Sequence, residues 1–492
     1  FLPDEDEGFL FIAVKLPEGA SLERTGETLA KVNSILEKTD GVDSYITIGG
    51  FSLLESAHLA NSGTYFVILD KWDDRKSKNL QIDAIIANLQ QKLFMVQDGL
   101  CFAFGPPAIM GLGLAGGFEI QIQDRAGVGF EALQNSCNEL MFIGKNDPVI
   151  TIRNSSFTAN VPQFYLDVDR TKAKSLGIPL TNIFGTLQAH LGSVYVNDMN
   201  LFGRTYKVMI QADLEYRNKV DNILQLQVRN NQGEMVPLRS IATVKNSSGP
   251  QSVKHFNLYP CSTMSGSARA GHSSGEAMDY MDKLCKEKLP RGISYQWSGM
   301  SYQQTRAGEK SNFIFIMGLI FVFLFLAAQY ESWSIPFAII LTVPIAVFGA
   351  LFFTWFKGYD NNIYTQIGLV LLIGLASKTA ILLVEFAKQH HEEGHSIIDS
   401  ATTAARLRFR PILMTALSTL LGFAPLVVAS GAGAVSRRAL GTATFGGMLV
   451  ATVAGVFMMP VLYVIIQRIT EKVVGVKHKV EDKIMHHEHS DQ

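Results

Sequence analysis

The sequence predicts an α+β region followed by an all-α membrane bundle of five helices. Three observations carry this. Strand–helix–strand units recur through the first 310 residues. Apolar spans follow at 312–330, 335–356, 364–387, 411–429 and 445–466, each near the ~20 residues a helix needs to cross the hydrocarbon. The chain of 492 residues is 47% hydrophobic and only 18% charged. It is too apolar at its C-terminal end for a soluble protein and too polar at its N-terminal end for a pure membrane bundle. A net charge of −1 gives no polybasic surface for nucleic acid.

Taken in order, residues 9–14 read as a strand. Ser21 starts a helix with Leu22, Leu29, Val32 and Leu36 on one side, and 45–48 alternates as a second strand. The order returns at 118–122, 130–142 and 149–152. It returns at 164–168 with helices near 170–176 and 181–189, and finally at 262–268, 274–288 and 293–297. Repeats of this size predict several small ferredoxin-like sandwiches. Between the first units, GGFSLLESAHLANSG from Gly49 is non-periodic and reads as an apolar loop. Residues 193–212 read as a hairpin whose polar tip, NDMNLFGR, is too long for a tight turn. That tip is a docking finger or a solvated loop.

In the membrane region, 396–405 reads as a short interfacial helix. Prolines 344, 425 and 460 mark bends, and Gly447, Ala451 and Gly455 allow close helix contact. Lys388, Arg406, Arg408 and Arg410 follow the third span, and Arg468, Lys472, Lys477, Lys479 and Lys483 lie in the tail. The positive-inside rule places both in the cytoplasm and residues 1–310 outside, against the smaller contribution of Arg437 and Arg438.

The third span places Lys378 near its middle and Glu385 seven residues on, on the same helix face. An ammonium at that depth costs roughly 2.5–3.5 kcal/mol, so it should face protein or water and have a task. A lysine that snorkels or only joins two helices is the plain alternative. No Asp occurs in any span, so its partner must come from further helices, from Glu385, or from backbone or water. Arg408 sits at the inner mouth of the fourth span, with Thr415, Ser418, Thr419 and Gly422 behind it. Together they predict a hydrated seam between spans three and four. A topogenic arginine and a threonine bonded to its own helix are the bland readings.

In the polar half, Phe9, Phe11, Phe51, Phe66, Phe102 and Phe104 form an aromatic set that fits a core or a pocket. Phe51, Leu53 and Leu54 open the apolar loop and could line a greasy pocket. The four cysteines show no metal spacing, and free buried thiols are preferred over a Cys261–Cys285 bridge. The tail MHHEH could hold a metal weakly but reads as a solvated terminus. No GxxxxGK[ST] loop and no Ser-His-Asp or Cys-His signature argues for an enzyme or for ATP as energy source.

FLPDEDEG at 1–8, GMSYQQ at 299–304, QYESWSIPF at 329–337, GLASKTAILLVEFAK at 374–388 and RFRPILMTALSTLLGFAPLVVASGAGA at 408–434 resemble the resistance-nodulation-division transporters. The similar branch is the hydrophobe/amphiphile multidrug efflux pumps of Gram-negative inner membranes, the AcrB type. The chain resembles their C-terminal half throughout. The resemblance implies porter subdomains at 1–112 and at 113–160 with 250–305, a docking subdomain at 161–249, and a transmembrane domain with cytoplasmic tail at 306–492. It implies a homotrimer with a periplasmic adaptor, an outer-membrane channel and membrane lipid as partners. Drugs and amphiphiles would be exchanged for protons, with no cofactor beyond the proton gradient. By position, Lys378, Arg408 and Thr415 match the proton relay. Phe51 and Leu53 match a switch loop, Ile46 and Phe66 a deep pocket, and Phe11, Phe102 and Phe104 an access pocket. The chain departs from the pattern in its loop sequence, in Thr379 where many relatives have Asn, and in lacking the paired relay aspartates of the other half. The competing readings are a protein-export factor of the same superfamily and a non-transporting structural half-chain. A heavy-metal exporter fits less well, because Met110, Met199 and the other methionines form no cluster in the sequence.

Overall fold

The structure, a computed structural model, describes residues 2–3, 5–113, 115–269 and 271–488, with side chains throughout except at 309–312 and 473–488. The side chains of Lys477, Lys479, Lys483, His486 and His487, and the whole of His489, lie outside that description. The chain divides into two compact units, one reaching Ser156 and resuming at Lys254, the other Phe157–Val253.

The first unit opens with β1 (Phe9–Lys15), α1 (Leu22–Leu36), β2 (Val42–Ser52), β3 (Ala57–Leu69), α2 (Ile82–Leu93) and β4 (Leu100–Phe104). The strands form one antiparallel sheet in the order β2-β3-β1-β4. Ser21 caps α1, accepting from the Arg24 amide at 3.3 Å. Alternation along β1 sends Leu10, Ile12 and Val14 under Leu29, Val32 and Leu36 of α1 and Ile85, Leu89 and Leu93 of α2. Each such side chain contributes about 1.5–3 kcal/mol by leaving water. The buried Tyr65 donates its hydroxyl to the Leu29 carbonyl at 2.7 Å.

The stretch expected to be an apolar loop is mostly strand. Leu53 to Ser56 alone form the turn, and Phe51 pairs with His58 across it. Thr64 Oγ1 donates to the Phe51 carbonyl (2.9 Å) and accepts from the Leu53 amide (3.1 Å), which holds the hairpin end. The register slips between Gly49 and Phe51, where Gly50 has φ +76°. That bulge breaks the two-residue period on which recognition from sequence depends.

The chain continues through β5 (Phe118–Asp124), α3 (Phe130–Asn146) and β6 (Ile150–Ser155) into the other compact unit. There β7 (Val161–Val168), α4 (Arg170–Ser175), α5 (Leu180–Leu187), β8 (Val194–Leu201), β9 (Arg204–Ile210), α6 (Val220–Gln225), β10 (Gln227–Arg229), β11 (Met235–Pro237) and β12 (Ala242–Gly249) follow. They form the pairs β7–β12, β8–β9 and β10–β11, with a small core of Ala173, Ile178, Ile183, Val228, Leu238 and Ile241. Two expectations are corrected here. The strand–helix–strand copy at 164–189 is not formed, because β7 takes its partner from the far end of the unit. The polar tip does close in a tight turn. Leu201 pairs with Arg204, and Phe202 (φ 52°) and Gly203 (φ 73°) supply the positive angles of a two-residue turn.

Back in the first unit come β13 (Lys254–Phe256), β14 (Tyr259–Ala268), α7 (Ser274–Lys288) and β15 (Ile293–Trp297). Both β13 and β6 pair with β14, which pairs in turn with β5 and β5 with β15. The order β6-β14-β5-β15 therefore repeats β2-β3-β1-β4. Ser273 and Glu276 cap α7 reciprocally. All four cysteines are free and buried, and burial raises Cys261 to about 11 and Cys285 to about 12, so neither is a ready thiolate.

The remaining helices are α8 (Gly299–Tyr330), α9 (Ile335–Ile340), α10 (Val343–Phe356), α11 (Ile363–Glu392), α12 (Ile397–Val427) and α13 (Ala434–Glu488). Among the described residues, five spans are long and apolar enough to cross a membrane, with α9 and α10 sharing one. That span breaks just ahead of Pro344, whose ring cannot join a continuous ladder. Residues 396–405 are not a separate interfacial helix. They are the first turns of α12, capped by Ser396, with Ala401 and Ala404 buried against Ala380, Leu383 and Ala387 of α11. Close approach to α13 is set by Gly446 and Gly447: a Cβ on Gly447 would come within 2.2 Å of Leu372, whereas one on Gly455 would meet only Met459 of its own helix.

Candidate functional site

The registers of the first sheet place Ile46 beside Phe66, Phe66 beside Phe11 and Phe11 beside Phe104. These residues form one row across the sheet, on the face opposite the helices. Phe11 and Phe104 are each 3% exposed, with Phe9, Phe66, Phe102, Leu53 and Leu54 packed on them. Phe11 meets Phe66 edge-on at 5.2 Å and tilts against Phe104 at 5.7 Å. Such pairs add about 0.5–1.5 kcal/mol beyond burial. Ile46, 57% exposed on edge strand β2, ends the row.

The corresponding face of the second sheet is polar. Its helix side carries Phe118, Ile120 and Ile122, and Ile152 of that side packs so tightly on α3 that a Cβ at Gly144 would lie 2.6 Å away. Alternation turns Glu119, Gln121 and Gln123 the other way. Gln121 donates to Ser298 Oγ (3.0 Å) and accepts from Thr263 Oγ1 (2.9 Å). Ser298 donates to Glu119 (2.6 Å), and Gln123 donates to the Phe256 carbonyl (2.8 Å).

Between these two faces lies a cavity of about 430 Å³, the size of a small-molecule site. Phe11, Leu53, Leu54 and Met110 line its apolar side; Glu119, Thr263 and Lys254 line its polar side. Lys254 Nζ lies 3.4 Å from the Leu54 carbonyl and so touches both. Of the residues singled out from sequence for a pocket, Phe11, Leu53 and Leu54 reach the cavity. Phe66, Phe102 and Phe104 back it. Phe51 packs on His58 at 5.5 Å, outside the lining. Sequence reasoning missed Glu119, Thr263 and Lys254. The alternation Glu-x-Gln-x-Gln in β5 signals a polar sheet face, but nothing local joins it to Phe11.

In the bundle, Leu372, Ala376, Ala380, Leu383 and Ala387 form the packed side of α11. Two residues turn a helix by about 200°, so Lys378 emerges on the opposite side with Ile367, Leu371, Gly374 and Glu385, all exposed. Among the described residues Lys378 has no hydrogen-bond or ion-pair partner, and Glu385 engages Tyr330. Arg408 lies on Phe386 of α11, its guanidinium carbon 4.8 Å from the ring centre, and its Nε is buried without a hydrogen bond. Thr415 donates within its own helix to Pro411 and Ile412, both at 3.0 Å, and Thr419 donates to Thr415 at 2.8 Å. The hydrated seam expected between the third and fourth spans is therefore not formed. Ala376, Ala416, Leu372 and Leu420 fill that contact, and Lys378 points away from it.

Comparison with known proteins gives a consistent result. The AcrB/AcrD/AcrF family matches residues 1–467. The multidrug/solvent efflux pump membrane transporter MepB of Pseudomonas putida is 40% identical over 466 residues, covering 94% of this chain and 44% of that protein. The toluene efflux pump membrane transporter TtgB, also of Pseudomonas putida, gives the same identity and coverage, 40% over 466 residues, 94% and 44%. The multidrug export protein AcrF of Escherichia coli (strain K12) is 38% identical over 473 residues, 95% of this chain and 45% of that protein. The chain thus spans a little under half the length of these curated relatives. With five spans for the membrane and this extent of similarity, the chain belongs to the AcrB/AcrD/AcrF family of resistance-nodulation-division efflux transporters.

Proposed function

We propose that this chain forms the C-terminal half of a proton-driven multidrug efflux pump of the Gram-negative inner membrane. It would export hydrophobic and amphiphilic compounds from the periplasm and outer leaflet through a tripartite complex with an adaptor and an outer-membrane channel. The carrying observation is the cavity between an aromatic sheet face and a polar one. An apolar wall takes ring systems and alkyl groups without directional demands, while Glu119, Lys254 and Thr263 offer both charges and a hydroxyl to a polar end. In this reading the two sheets with their helices are ferredoxin-like porter subdomains in the periplasm, the inserted unit docks the channel, and the pump works as a homotrimer.

Lys378 supplies the coupling in this reading. A cation on the unpacked side of α11 costs too much in lipid to serve as surface, so that side is taken to meet helices contributed elsewhere in the pump. A carboxylate pair there, when protonated, would release Lys378 and let the helices shift, opening and closing the porter clefts. Arg408 and Thr415 belong to the same relay, Arg408 with a buried donor still to be met. The test is dye and solvent accumulation in cells carrying the assembled pump. Lys378→Ala should abolish efflux at unchanged protein level. Phe66→Ala together with Phe102→Ala should weaken efflux of aromatic substrates most. Normal resistance in the lysine variant would defeat the assignment.

A further inference from the structure

We infer that His390, His395 and Asp399 form a binding site for a divalent transition-metal ion of the zinc class, at the turn between α11 and α12. One ligand atom from each residue lies within 4.8 Å of the others. Tetrahedral bonds of ~2.0–2.2 Å hold donors roughly 3.3 Å apart, so modest side-chain rotation closes the site. His395 and Asp399 are exposed and free to make it. The two imidazole rings stack 3.9 Å apart, inclined by 30°, and the exposed His395 ring must swing out for both to meet one ion at a tetrahedral angle.

The surroundings support coordination. His395 Nδ1 lies 3.2 Å from the His390 carbonyl, and His390 Nδ1 lies 3.4 Å from Ser400 Oγ. Each ring is held through Nδ1 and keeps Nε2 open, as metal-binding histidines commonly are. The turn is itself fixed: His391 Nδ1 meets the His395 carbonyl at 2.8 Å, and Ser396 accepts from the Asp399 amide at 3.2 Å. Two imidazoles and one carboxylate suit zinc, nickel or copper and are poor ligands for magnesium or calcium. Three protein donors leave a fourth position for water. The ion would join the end of α11 to the start of α12. It would also place a positive charge beside a stack that runs from His390 to Phe386 (6.4 Å) and on to Arg408.

The test uses the purified full chain with His478, His486, His487 and His489 changed to alanine, so that tail imidazoles cannot compete. Cobalt(II) is titrated as an optical probe and then displaced with zinc. One equivalent should bind with a tetrahedral visible spectrum. His395→Ala and Asp399→Asn should each weaken binding at least about tenfold, with melting of the metal-free protein unchanged because both side chains are exposed. Glu393→Gln, an exposed acid of the same turn outside the cluster, should bind as the parent does. Absence of a saturable site, parent-like affinity in the His395 and Asp399 variants, or an equal loss in the Glu393 variant would overturn the inference. None of these outcomes bears on transport.

Discussion

The two sheets of the larger unit share a strand order and differ in what their uncovered faces carry. Both bury apolar rows beneath two helices: Leu10, Ile12 and Val14 in the first, Phe118, Ile120 and Ile122 in the second. On the other side, the first presents Phe66, Phe11 and Phe104, and the second presents Glu119, Gln121 and Gln123. Strand order follows from what the helix-facing residues must bury. The free faces are released from that demand, and a cavity with one greasy and one polar wall results. The following variants separate the two roles.

The largest effect should come from Phe11→Ala. The ring is almost fully buried among four other phenylalanines, and removing it should cost about 3–5 kcal/mol, read by denaturant unfolding. Phe66→Leu, half-buried beside it, should cost less than about 1.5 kcal/mol while still thinning the aromatic wall. Equal losses would mean that the row is ordinary core rather than a wall facing a cavity.

The helix-facing sides should respond alike. A Cβ at Gly63 would lie 2.6 Å from Leu29 of α1, and one at Gly144 would lie 2.6 Å from Ile152. Gly63→Ala and Gly144→Ala should each cost about 1–3 kcal/mol by overpacking, visible as lower melting temperatures of similar size. On the polar face, Gln121→Leu leaves Ser298 and Thr263 without a shared partner. It should cost about 1–3 kcal/mol. Gln121→Glu should cost at least as much, because Ser298 already gives its proton to Glu119 and a second carboxylate would lie beside the first. A Gln121→Glu protein as stable as the parent would show that the amide's bond to Ser298 is not needed to hold that wall.

How much of this was legible in the sequence depended on range. The spans and Lys378 stood out because a lone cation in an apolar run is a local contrast. Leu22, Leu29, Val32 and Leu36 announced α1 through their spacing. The turn at Phe202–Gly203 was hidden because a bulky residue occupies a position where Asn is the usual signal. The hairpin at Phe51 was hidden by its bulge. The cavity was invisible for a different reason: Phe11, Glu119 and Lys254 are far apart in the chain, and only the sheet registers bring them to one space. His390, His395 and Asp399 straddle a helix–turn–helix, so no single-helix spacing betrays them.

The smallest and most discriminating effect should be on acid stability, and it should fall on the second sheet. Burial alone would push the Asp124 carboxyl up, but the amides of Gly129 and Val128, at 2.8 and 3.0 Å, outweigh it and hold it below the usual carboxylate range. Asp147 is lowered in the same way, against burial, by Tyr280 and the amides of Val149 and Ile150. Asp282 is lowered against burial by Lys286 and Tyr295. A carboxyl lowered in the folded state stabilises above its unfolded value of about 4 and loses that contribution as pH falls through the folded one. In the first sheet, among the described residues, the lowered carboxyl is the partly exposed Asp98 beside the exposed Lys31, where solvent screens the gain. Protection factors, with the intrinsic pH dependence of amide exchange divided out, should therefore fall first around 124–155 and 274–297 from pH 6 to pH 3, while 9–69 stays protected. Asp124→Asn should make the start of α3 exchange faster at neutral pH and flatten its acid dependence. Parallel loss in both sheets would show that the contrast between the faces does not extend to their charges.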